Sequence, residues 1–96
     1  MILEIAFVEV LPDSHQKFEA AVKSAVSEIL SKSKGFIDFE LHKGIERANT
    51  YTFHVRWETL EDHTVGFRQS DAFIQWRAAI SEHFASPPQV DHWSGV

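Results

Sequence analysis

Residues 57–84 read WETLEDHTVGFRQSDAFIQWRAAISEHF, and the chain is arranged around how this stretch passes from strand to helix. Trp57 closes a strand. Thr59 is a good N-cap, and Asp62 comes where a carboxylate meets free backbone N–H groups. The short helix that results carries Leu60, His63, Thr64 and Phe67 at helical spacing, so His63 is expected inside, flanked by apolar neighbours. Gly66 weakens that helix, and Ser70 with Asp71 starts a second one. Phe73, Trp76, Ile80 and Phe84 then form one apolar stripe with Arg77 at its border. Two tilted helix faces bearing His, Phe, Trp and Arg make the best pocket wall in the sequence.

Upstream, residues 50–57 alternate: Tyr51, Phe53, Val55 and Trp57 against Thr52, His54 and Arg56. Residues 36–43 do the same, with Ile37, Phe39 and Leu41 opposed to Asp38, Glu40 and His42. A hairpin centred near Arg47 sets Phe39 opposite Val55 and Leu41 opposite Phe53. The same register pairs Asp38 with Arg56 and Glu40 with His54, whereas a one-residue slip mixes apolar with charged. Residues 15 to about 33 are helical, with Phe18, Val22, Ala25 and Ile29 inward, and Gly35 ends the helix in a left-handed C-cap. Residues 2–10 form a strand apolar on both faces, which reads as central. Pro87 and Pro88 stop the last helix, and residues 89–94 make a final short strand.

The 96 residues form one domain, 1–96, small enough that a second copy would be a natural source of further burial. The net charge of −5 is spread along the chain and no basic stripe is present, which excludes nucleic acid and an anionic membrane surface as expected partners. Cysteine is absent, so disulfides, thiolate catalysis and zinc-thiolate sites fall away. The first residues, with an acid at Glu4, do not read as a signal peptide, and no apolar run approaches the ~20 residues of a membrane span. The expected location is the cytoplasm. Six His residues show neither HExxH nor a pair one helical turn apart, so no metal site is expected.

The order is β-α-β-β-α-α-β, an α+β, ferredoxin-like split βαβ pattern with a four-stranded antiparallel sheet and helices on one face. The other sheet face needs a cover, and a homodimer through the face of Ile2, Ala6 and Val8 is the expected one. The segment from Trp57 through His63 to Phe67-Arg68-Gln69-Ser70, with the Pro87-Pro88…His92 ending, resembles the antibiotic biosynthesis monooxygenase family of dimeric α/β barrels over essentially the whole chain. That resemblance implies a homodimer with a pocket in each subunit between sheet and helices. The activities it implies include cofactor-independent oxygenation of phenols and quinols, haem degradation and handling of a signalling molecule. The haem-degrading branch uses an Asn, a Trp and an axial His whose ungapped matches here are Phe7, Phe67 and Arg77. None of the three residue types is kept.

His63 is the candidate catalytic residue, because an imidazole can hold or remove the proton of a phenol near working pH. A phenolate reacts with oxygen directly, so neither flavin nor metal is called for and no cofactor is expected. Trp57, Phe67 and Trp76 are the candidates for stacking a flat aromatic substrate, with Arg77 or Arg68 beside its oxygen. Each also has a plainer reading: aromatic stripes are usually core, and Arg beside one usually snorkels outward. Two functions fit, a small cofactor-independent monooxygenase or a non-catalytic ligand-binding or dimer-scaffold protein.

Overall fold

A computed structural model describes residues 1–96, and its sheet begins from the two alternating segments. Strands β2 (Phe36–Lys43) and β3 (Thr50–Trp57) form the hairpin. Phe39 lies opposite Val55, Leu41 opposite Phe53, Asp38 opposite Arg56 and Glu40 opposite His54. This is the register that places like beside like, and Arg56 Nη1 reaches Asp38 Oδ1 at 3.2 Å. Strand β1 (Ile2–Glu9) pairs antiparallel with β3, and β4 (Gln89–Trp93) pairs antiparallel with β1. The order is β2-β3-β1-β4, with β1 central and running parallel to β2 across the intervening β3. Helices α1 (His15–Glu28) and α2 (Asp71–Ile80) cover one face. Phe18, Val22, Trp76 and Ile80 of the helices bury against Val8, Tyr51, Phe53, Val55 and Trp57 of the sheet. None of the helices is long and apolar enough to cross a membrane.

Two helix ends differ from expectation. Helix α1 stops at Glu28, because Ile29 leaves helical geometry (φ −121°, ψ −65°) and a tighter 3-10 turn, Leu30–Lys32, tucks Leu30 into the core. Likewise α2 ends at Ile80 and a 3-10 turn, Ser81–His83, replaces its last turn before Phe84. Gly35 does take the left-handed conformation, at φ +84°. It also yields space: a Cβ there would lie 2.1 Å from Oδ2 of Asp62. Its carbonyl accepts the Glu58 N–H at 2.8 Å. Glycine at this point, just before β2, therefore lets the segment after β3 dock against the turn that leads into β2.

The face of β1 assigned to a partner is corrected. Ala6 and Val8 lie under the helices, 3% and 0% exposed, so that face belongs to the subunit's own core. The uncovered face is the opposite one. It carries Leu3, Ile5 and Phe7 of β1, with Trp93 paired beside Leu3, and Phe7 and Trp93 are 40% and 52% exposed.

Candidate active site

The joint after β3 is built on local capping. The Asp62 N–H donates to Thr59 Oγ1 at 3.1 Å, as the spacing predicts. From Asp62 to Phe67 the chain then winds as a π-helix, in which the Arg68 N–H reaches back to the carbonyl of His63 at 2.9 Å. Such wide turns are rare and gather at functional sites. The wider turn sets His63 and Phe67 on the buried side, 3% and 4% exposed, but swings Leu60 outward to 38%. The expected flanking of His63 by Leu60 is thus replaced by aromatic packing. Trp57 stacks on the His63 ring at 5.1 Å between centroids, and Phe67 lies at 6.2 Å. Ser70 then caps α2 by accepting the Phe73 N–H, while its own hydroxyl donates to the Phe67 carbonyl at 2.6 Å.

Beneath His63 lies a buried carboxyl that sequence reasoning passed over. Glu4 of β1 is 7% exposed. Its Oε1 accepts the Trp57 Nε1–H at 2.9 Å and lies 3.3 Å from His63 Nε2. On the other side of the ring, His63 Nδ1 and His92 Nε2 share a hydrogen bond of 2.7 Å. Burial pushes Glu4 up to about 7, against smaller opposing effects of the Trp57 hydrogen bond and the Arg68 charge. Burial also pushes His63 down to about 4, helped by His92 and Arg68. A carboxylate beside an imidazole suggests an ion pair, yet both groups are driven toward their neutral forms. Desolvation outweighs their attraction at this depth.

A cavity of about 560 Å³ opens above this pair, a size typical of small-molecule sites. Glu4, Ala6, Phe53 and Val55 floor it from the sheet, and Phe67, Phe73, Trp76 and Ile80 wall it. Arg68 and Arg77 stand at its edge, the Arg77 guanidinium 5.8 Å from the Phe73 ring centroid. His63, Phe67, Trp76 and Arg77 therefore come together on one cavity. Trp57 does not line it: wholly buried, it backs His63 and holds Glu4 from behind. Phe7, the position matched to the haem branch's Asn, points to the opposite sheet face. Glu4 Oε2 has no hydrogen bond within the protein, and no side-chain oxygen here is both buried and unpartnered, so Oε2 opens onto the cavity. The signal for Glu4 lay in the β1 alternation, where it is the one charged residue on the face of Ile2, Ala6 and Val8. His92 had a weaker signal, its place two residues after inward-facing Val90 on the last strand.

Residues 1–79 match the family model described as antibiotic biosynthesis monooxygenase. The Bacillus subtilis protein YczJ is 38% identical over 96 residues, covering 100% of both chains. A Bordetella bronchiseptica crystal structure named for the antibiotic biosynthesis monooxygenases is 42% identical, with a TM-score of 0.93 over 99% of this chain and 96% of that one. A Streptomyces coelicolor monooxygenase, from the gene ActVA-Orf6 and in complex with nanaomycin D, shares the fold at 17% identity. Its TM-score is 0.84, over 99% of this chain and 87% of that one.

Proposed function

Because this chain belongs to the antibiotic biosynthesis monooxygenase family, we propose that it is a cofactor-independent monooxygenase acting on a small phenolic or quinol-type aromatic in this cavity. What carries the reading is the buried Glu4–His63 pair on the wall of a largely apolar, partly aromatic chamber. The substrate ring stacks between Phe67, Phe73 and Trp76, where offset and edge contacts are favourable. Its hydroxyl meets the Glu4–His63 pair, which takes the proton, and Arg77 with Arg68 steadies the oxyanion. The phenolate gives one electron to O₂, the resulting radicals join as a ring peroxide anion, and that peroxide takes one proton back to become the hydroperoxide. Loss of water leaves a carbonyl, so a ring CH₂ or its enol plus O₂ becomes C=O plus H₂O. Trp57 serves from behind by fixing Glu4 and His63.

An oxygen electrode tests this with a panel of hydroquinones, naphthols and anthrones. Dialysed protein, with no flavin or metal added, should consume one O₂ for each quinone formed. No uptake across the panel, in protein whose tryptophan fluorescence still responds to the same compounds, would leave a ligand-binding protein instead.

The same reading makes the protein a cytoplasmic homodimer of single domains, joined through the open sheet face. Leu3, Ile5, Phe7 and Trp93 give that face its apolar centre, and a chain of this size gains much by covering it. Sedimentation at micromolar concentration should give about twice the chain mass of 11.0 kDa. Ile5→Glu should sediment as a folded monomer, since Ile5 lies outside the helix-covered core. A wild-type monomer at that concentration would end the dimer assignment.

A further inference from the structure

Three titratable groups run in line from the cavity to the sheet edge, and they come from distant parts of the chain. Glu4 sits on the central strand, His63 on the π-helix and His92 on the edge strand β4, where it pairs with Glu4. The His63 ring bridges the other two, with Nε2 at 3.3 Å from Glu4 Oε1 and Nδ1 at 2.7 Å from His92 Nε2. His92 is partly exposed and its Nδ1 makes no hydrogen bond within the protein. The other groups facing this line are Trp57 from β3, Arg68 from the end of the π-helix and Asp91 beside His92.

We propose that Glu4, His63 and His92 form a proton conduit, in which Glu4 Oε2 takes the substrate's proton at the cavity and His92 releases it at the sheet edge. The proposal rests on the monooxygenase reading for the source of the proton. The Glu4 carboxyl, loaded on Oε2, turns so that its O–H points to Nε2 of His63, whose Nδ1–H donates to Nε2 of His92. Moving one proton outward breaks the Glu4 O–H and His63 Nδ1–H bonds and forms His63 Nε2–H and His92 Nε2–H. The proton on His92 Nδ1 leaves to water. Glu4 is then a carboxylate and both rings have exchanged tautomers. When the ring peroxide forms, one proton returns along the same path in reverse, so the tautomers reset and the overall reaction releases no proton. A neutral His63 is what this passage requires, and its burial supplies one. The 3.3 Å step is the longest, and such contacts tighten when a ligand closes the site.

Nitrogen-15 NMR of histidine-labelled protein tests the conduit without turnover. His63 should carry its proton on Nε2 when Glu4 is ionised and on Nδ1 when Glu4 is protonated, the two titrating together. In Glu4→Gln one tautomer should persist from about pH 5 to about pH 9. A wild-type His63 that keeps one tautomer while Glu4 titrates would overturn the proposal. With a hydroquinone that is turned over, His92→Ala should slow the steady state by about a hundredfold in weak buffer, the lower range for a positioned proton carrier. Millimolar imidazole should restore the rate. A rate unchanged in His92→Ala would overturn the outward path while leaving the oxygenase reading intact. If no phenol is oxidised at all, the oxygenase reading falls and the tautomer experiment alone decides the conduit.

Discussion

Glu4→Gln should make the protein more stable at pH 8 by about 3 kcal/mol, and change it little near pH 4.5. The folded-state value of Glu4 is raised from 4.5 to about 7. Above 4.5 the unfolded chain sheds a proton that the folded chain retains, so stability falls as pH rises to about 7 and stays low beyond. Gln cannot ionise, yet its amide oxygen still accepts the Trp57 N–H. His63 works the other way, since its value falls from 6.5 to about 4. Below 6.5 the unfolded chain takes up a proton that the folded chain refuses, so stability falls as pH drops to about 4. In the wild type the two slopes oppose each other between 4.5 and 6.5 and nearly cancel. In the variant only the His63 slope remains, rising with pH up to about 6.5. At fixed protein concentration the melting temperature at pH 8 should rise by more than about 10 °C for a chain this small. A variant less stable than wild type at pH 8 would show that the Glu4 charge is compensated in the fold.

His63→Ala should lower turnover of a hydroquinone by about a hundredfold or more, the usual range for a positioned acid–base group. A pH–rate limb near neutrality would belong to Glu4, whose value is about 7, and should be lost in Glu4→Gln rather than here. Removing the ring breaks the contact with Glu4 and the bond to His92 together, so the carboxyl loses its path to water. It also removes a ring stacked between Trp57 and Phe67. Melting and circular dichroism on the same sample separate the loss of chemistry from the loss of packing. Undiminished turnover in a folded His63→Ala protein would make His63 a packing residue.

The hairpin was legible from Asp38 onward because its two faces differ in kind, so only one register avoids opposing charge to hydrocarbon. Ile37, expected inward, falls at a register shift and is 42% exposed. The caps at Thr59 and Ser70 were legible for a similar reason, since each is a local bond between near neighbours. The π-helix was not. A helical stripe at Leu60, His63 and Phe67 fits an ordinary helix as well, and no local spacing distinguishes the wider turn. Nor could a strand apolar on both faces say which face the helices take. Glu4 decides this in the structure: its carboxyl reaches Trp57 and His63 only from the helix side, which leaves Phe7 outward. His92 was only faintly legible, because a short edge strand has no pattern strong enough to fix its phase.

The site is closed by β4, which leaves the ribosome after every other strand of the sheet. While the ribosome is still reading, the central strand has its β3 neighbour but lacks its other one, and the groups that must meet are separated by nearly the whole chain. Pairings of such long range form late, after local hairpins and helices. Until Val90 and His92 arrive beside Ala6 and Glu4, the carboxyl stays wet, titrates like a free glutamate and cannot hand a proton across His63. A chain whose β4 has not yet paired would thus hold Glu4 as an ordinary wet carboxyl, and the neutral Glu4 side chain would be a marker that the sheet has closed.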